Sequence, residues 1–274
     1  MALSSGTPRW RIFSALRRSD MKRPRVGVFK FSSCDGCQLS ILNLEDELLD
    51  MLEFFDIAYF REAIDRAPLR QYDIAVVEGS ISTDGQKKGI AEIREKTRFL
   101  MTIGACATAG GLQALRNWAN VSDYRRYVYP SPNLVSALPM STPVSDHVYV
   151  DYELWGCPIN KDAFAETLVS LLAGKRPGLP VYSLCMECKM KGIPCVLVAQ
   201  GDPCLGPITK AGCGVLCPSF ARACYGCFGP KDGANIDALL RQLEGEGMDR
   251  KELILLTDKM NTYAYRRARL EKAY

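Results

Sequence analysis

Residues 25–37 read RVGVFKFSSCDGC, and residues 38–52 continue QLSILNLEDELLDML. The opening run is rich in β-branched and aromatic residues and stops at a Ser-Ser pair, as a strand does before a turn. The continuation sets Leu39, Leu42, Leu49 and Leu52 at helical spacing. A strand that passes through a short polar turn into a helix is the first unit of a parallel α/β fold.

The pattern repeats downstream. Strand-like runs are expected at 25–31, 57–60, 74–78, 99–103 and 148–154, with helices over 38–52, 87–96, 108–118 and 161–172. Strands that alternate with helices in this way predict a parallel sheet covered on both faces. From about residue 177 the character changes, because glycine, proline and cysteine dominate as far as residue 230. Such a stretch predicts a small unit organised around metal. Two further helices are expected at 236–243 and 251–256, followed by a tail rich in Arg and Tyr.

Composition sets bounds. The chain has 274 residues, 47% apolar and 24% charged, with a net charge of +4, which is ordinary for one or two soluble domains. No run of eighteen apolar residues offers a membrane span. Much of the positive excess lies in an amino-terminal arm carrying Arg9, Arg11, Arg17, Arg18, Lys22 and Arg23. Arg17-Arg18 is not followed by the polar-then-apolar run of a cleavable export signal, so a cytoplasmic location is expected. Neither the arm nor the YRRARLEK stretch interleaves base-stacking aromatics with a nucleic-acid-binding fold, and a solvated arm and tail is the expectation there.

The twelve cysteines divide into three sets of four. Cys34 and Cys37 follow the first strand, Cys106 follows the strand at 99–103, and Cys157 follows the strand at 148–154. All four therefore lie just past the carboxyl ends of strands, the crevice in which open parallel sheets bind their ligands. The other eight are crowded: Cys185, Cys188, Cys195 and Cys204, then Cys213, Cys217, Cys224 and Cys227. Each of these blocks contains a C-x-x-C, which lets two thiolates of one loop share a metal centre.

Four thiolates suit an iron–sulfur cubane and also a structural zinc ion. Three zinc sites would be an odd way to stabilise a chain long enough to have its own core. Gly36, Gly104, Gly156, Gly212, Gly214 and Gly226 permit close backbone approach to a cluster, and Cys157-Pro158 and Cys217-Pro218 echo bacterial ferredoxin motifs. No dinucleotide-binding G-x-G-x-x-G and no P-loop motif occurs, so nucleotide binding by this chain is not expected.

SSCDGCQLS, VVEGSIST, IGACATAGG and GCP, in that order, resemble the small subunit of nickel–iron hydrogenases. CMECKMKGIPC, GDPCLGPITKAGC, GVLCPSF and CYGCFGP are similar to the cytoplasmic branch of that family, especially the delta subunits of the NADP-linked sulfhydrogenases. The likeness runs from about residue 25 to 230. It implies an α/β architecture: a basic arm (1–24), a flavodoxin-like parallel-sheet domain (25–176), and a cysteine-rich iron–sulfur domain with C-terminal helices (177–274).

It further implies three 4Fe-4S clusters: proximal on Cys34, Cys37, Cys106 and Cys157; distal on Cys185, Cys188, Cys195 and Cys204; medial on Cys213, Cys217, Cys224 and Cys227. The GPIT after Cys204 matches a family element that follows the last distal ligand. Cys185 stands where periplasmic members have a histidine, and His147 is left as a strand residue without a metal. Gly36 occupies a position that is cysteine in oxygen-tolerant members, so an ordinary proximal cubane is implied. Gln38 replaces a family Glu and receives no proton-transfer role.

The resemblance places the nickel–iron centre on a partner large subunit, and FAD and NADP on flavin and iron–sulfur subunits of a heterotetramer. This chain would then have no catalytic residue of its own and would conduct electrons. Alternatives are a hydrogenase feeding heterodisulfide reductase, a complex I-like quinone-oxidoreductase subunit, whose first motif has adjacent cysteines and which has one cluster, and a zinc-stabilised interaction module.

Overall fold

The computed structural model describes residues 23–64 and 71–270. Nearly all of the basic arm expected at 1–24 lies outside the described residues. Five strands, β1 (Arg25–Lys30), β2 (Asp56–Phe60), β3 (Tyr72–Glu78), β4 (Thr97–Ile103) and β5 (Tyr152–Leu154), form one sheet in the order β2-β1-β3-β4-β5. Every neighbouring pair is parallel. This is the doubly wound, flavodoxin-like order, with its switch point between β1 and β3.

Both faces are apolar because successive strand residues point to opposite sides. Val26, Val28, Ile74, Val76, Met101 and Ile103 share one core cluster, completed by Ile41 and Phe164. Phe29, Ala75, Val77 and Leu100 face the other way, against Ile90 and Val144. The covering helices are α1 (Gly36–Leu42), α2 (Asp46–Met51), α3 (Asp84–Glu95) and, after β5, α6 (Lys161–Leu172). Thr83 caps α3 by accepting from the Gln86 N–H, and Asn160 caps α6 by accepting from Ala163.

Three expected elements differ. The helix at 38–52 is two helices, since the chain turns at 43–45, where Glu45 takes a positive φ of 52° and Leu44 is driven inward to 2% exposure. The helix at 108–118 is α4 (Gly104–Ala109) followed by a 3₁₀ turn, Leu112–Trp118. Gly110 and Gly111 lie between them with φ of 75° and 65°, a conformation that ends a helix. The strand at 148–154 pairs only as Tyr152–Leu154. A 3₁₀ turn at Val144–Asp146 hydrogen-bonds Val148 back to Val144, so 148–150 cannot extend alongside β4. His147 accordingly caps that turn, with Nε2 2.7 Å from Thr142 Oγ1.

An amphipathic helix, α5 (Val121–Val128), went unanticipated. Beyond residue 177 come α7 (Leu184–Met190), α8 (Val196–Gln200), α9 (Leu216–Ser219), α10 (Ile236–Gly245) and α11 (Arg250–Thr257). The expected tail is a helix, α12 (Thr262–Leu270). This region has an apolar core of its own, with Leu205, Ile208, Val215, Ile236, Leu239 and Tyr265 buried together.

Candidate functional site

The first four cysteines converge over the carboxyl ends of β1, β4 and β5. Cys34 and Cys37 bracket the start of α1, Cys106 lies in α4 directly beyond β4, and Cys157 lies just past β5. Glu78, the last residue of β3 and 1% exposed, accepts the backbone N–H groups of Cys37 at 3.2 Å and Gln38 at 3.3 Å. A buried carboxylate thus holds the first motif over the switch point. Burial raises the Glu78 pKa, and the hydrogen bonds from Gln38 and Cys37 oppose that shift.

The turn after Glu78 explains the VEGS motif. Gly79 has φ of 102°, and a Cβ there would stand 2.6 Å from the Phe31 backbone carbon, so only glycine fits. Gly104 is similarly filled: a Cβ would run into Cys37 Sγ. Ala105 donates to the Gly156 carbonyl at 2.7 Å, which ties the Cys106 segment to the Cys157 loop.

The thiols sense one another. Cys106 is pushed up to about 12 by burial first, then by Cys157 and Cys34. Burial also raises Cys37, with Cys106 and Cys157 adding to the effect, and raises Cys157, with Cys34 adding. The segments of Cys37, Cys106 and Cys157 thus adjoin through Gly104 and the Ala105–Gly156 hydrogen bond, with Cys34 exposed.

Two further groups lie in the second region. Cys185 and Cys188 sit on α7, Cys195 precedes α8, and Cys204 follows it. Cys185 is raised to about 11 by burial, then by Cys204, Cys188 and Cys195. Gly206 lies between two of these sulfurs: a Cβ there would stand 3.3 Å from both Cys185 Sγ and Cys204 Sγ. Cys227 is raised to about 12 by burial, then by Cys213, Cys217 and Cys157. Cys224 is raised by burial, and the N–H of Gly226 donates to its sulfur at 3.4 Å.

The loop of Cys224 and Cys227 lies beside both other segments. The N–H of Cys224 donates to Cys204 Sγ at 3.2 Å. On the other side the ring of Trp155, two residues before Cys157, packs on Gly229, where a Cβ would collide with it, and Lys210 Nζ lies 4.5 Å from the ring centroid.

The donor chemistry and spacing suit iron–sulfur clusters. All twelve ligand candidates are thiols, backbone N–H groups point at the sulfurs of Cys204 and Cys224, and Gly104, Gly111 and Gly206 leave room beside Cys37, Cys106 and the Cys185–Cys204 pair.

Three residues with a part in the site carry no signal of it in the sequence. Glu78 sits inside the VVEGSIST motif, yet its anchoring role depends on the neighbouring strand. Asn261 donates from Nδ2 to the Gly226 carbonyl at 2.8 Å and the Cys227 carbonyl at 3.0 Å. The Tyr265 hydroxyl lies 3.2 Å from Thr209 Oγ1. The Asn-Thr-Tyr stretch carries no motif, and only its long-range contacts mark it.

Residues 34–171 match the family described as NADH ubiquinone oxidoreductase, 20 Kd subunit. The delta subunit of sulfhydrogenase 2 from Pyrococcus furiosus is 36% identical over 80% of this chain and 92% of its own length. One subunit of the vhu F420-non-reducing hydrogenase from Methanocaldococcus jannaschii is 34% identical over 76% of this chain and 82% of its own length. Among solved structures, an NAD+-reducing [NiFe]-hydrogenase in the H2-reduced state aligns with a TM-score of 0.55 at 27% identity, covering 58% of this chain and 96% of that one. A Ni-Fe-Se hydrogenase from Desulfomicrobium baculatum aligns at 0.56 and 16% identity, over 80% and 98% of the two chains, which speaks for the fold alone.

Proposed function

The chain belongs to the NADH ubiquinone oxidoreductase 20 Kd subunit family as a hydrogenase small subunit, and on that premise we propose that it relays electrons through three 4Fe-4S clusters. What supports this reading is the gathering of Cys34, Cys37, Cys106 and Cys157 at the strand ends, with the Cys224–Cys227 loop set between Cys204 and the Trp155 segment. When bound, the clusters would carry electrons one at a time between partner subunits.

Cys34, Cys37, Cys106 and Cys157 would hold the proximal cluster in a domain spanning 25–176. In a second domain, 177–274, the medial cluster falls to Cys213, Cys217, Cys224 and Cys227, and the distal one to Cys185, Cys188, Cys195 and Cys204. Exposed Leu39 and Leu49 on α1 and α2 flank the proximal group and suit docking of the large subunit that carries the nickel–iron centre. Cys195, exposed in the distal set, suits electron exit.

The acceptor side is proposed to be a flavin and iron–sulfur pair handling NAD(P), in a cytoplasmic heterotetramer.

Metal analysis of the anaerobically purified complex tests the proposal. Three sites of four irons each would give about twelve irons for this chain, over and above those of the partner subunits. About three zinc ions, with little iron beyond the partners' own, would refute it.

A further inference from the structure

The C-terminal segment that follows α11 closes over the Cys224–Cys227 loop from three positions. Lys259 Nζ stands 4.7 Å from the centroid of Tyr225, the residue next to Cys224. Asn261 donates to the carbonyls of Gly226 and Cys227. Tyr265, 2% exposed, fills the space at Gly226, where a Cβ would lie 2.6 Å from its hydroxyl.

The same segment is anchored to the sheet domain. Tyr263 donates to Asp146 at 2.8 Å, Arg267 pairs with Asp146 at 3.0 Å, and Arg266 stacks 3.8 Å from the Trp118 centroid. The middle cysteine loop is thus gripped by a strap that is also tied to residues 118 and 146.

Within that strap Lys259 is unusual. Its neighbour Asp258 is engaged by Arg266, and among the described residues no ion pair to a carboxylate involves Lys259. An aromatic ring seats the ammonium instead, beside Cys224 in the chain; burial lowers the Lys259 pKa, and Cys224 opposes that shift.

We propose that Lys259 is a positioning cation for the medial cluster, holding its reduction potential above the value the cysteine cage alone would set. The inference rests on the three-cluster reading. Its physical basis is simple: reduction adds one negative charge to the site, and a fixed, partly buried ammonium lowers the energy of that more negative state. Tyr225 keeps the charge in place, its ring facing the ammonium.

The test uses the complete complex with its large subunit, purified anaerobically, and a redox titration followed by electron paramagnetic resonance. The medial signal is identified by its loss in Cys217→Ser. Lys259→Met should move the medial midpoint to a more negative potential with iron content unchanged and the proximal midpoint unmoved. Lys259→Arg should restore it close to the wild-type value. Where Lys259→Met fails to retain the medial cluster, Tyr225→Leu decides, because it keeps the ammonium and removes its seat; the expected shift has the same sign and is smaller.

An unchanged medial midpoint in Lys259→Met, or in Tyr225→Leu when that variant decides, overturns the proposal. So does an equal shift at all three clusters. Wild-type complex with fewer than twelve irons beyond those of the partner subunits would instead sink the relay reading, before any variant is compared.

Discussion

Replacing Asn261 with alanine removes two hydrogen bonds from a side chain that is 1% exposed, those to Gly226 O at 2.8 Å and Cys227 O at 3.0 Å. Each contributes about 0.5–1.5 kcal/mol net, so the loop is released by roughly 1–3 kcal/mol. At tenfold per 1.4 kcal/mol, the segment carrying Cys224 and Cys227 should open roughly 5- to 150-fold more often. Iron release to a ferrous chelator, followed over time in the anaerobic complex, reads this directly. About a third of this chain's iron, that of the middle group, should leave in a new fast phase.

Asn235→Ala is the control. It removes only the 3.2 Å cap on the Ala238 N–H at the start of α10, a cost of about 1 kcal/mol, and should give no fast phase. A single phase at the wild-type rate in Asn261→Ala, or loss of the proximal group first, would refute the reasoning.

Cys185→Ser should abolish acceptor reduction while hydrogen–deuterium exchange at the partner's metal centre persists, whereas Cys37→Ser should lose both, since its loop organises the proximal group; equal loss in an assembled Cys185→Ser complex would contradict the assigned exit. Burial holds Cys106 and Cys227 up to about 12 and Cys185 to about 11, so iron must displace protons. Apparent cluster affinity should fall by up to about tenfold per thiol for each pH unit lost, seen as faster bleaching of visible absorbance in acid. The metal-free chain shows the opposite sign: its buried thiols contribute stability that is complete below their ordinary value of 9.0 and is lost as pH rises through about 12, which alkaline denaturation midpoints would reveal. Asp249→Ala breaks the capping box of α11 and should cost about 1 kcal/mol of thermal stability with no change in iron content.

Local chemistry made much of this protein legible in its sequence. Each strand carries apolar residues on both faces, as Val26 and Val28 do against Phe29, and that pattern forces a sheet covered on both sides. Cysteines placed just beyond strand ends, and paired as C-x-x-C, announce a metal-binding crevice because few other uses of that spacing exist. Helix breaks were not legible in the same way: Glu45 turns the chain because Leu44 finds a buried place, and that place is made by other elements. The tertiary structure alone decided the strap. Lys259, Asn261 and Tyr265 lie in an ordinary polar, aromatic stretch, and their meaning comes from residues 146, 209 and 225–227, far away in the chain. Glu78 belongs to the same class, since a carboxylate at the end of β3 becomes an anchor for Cys37 only once β1 and β3 stand side by side.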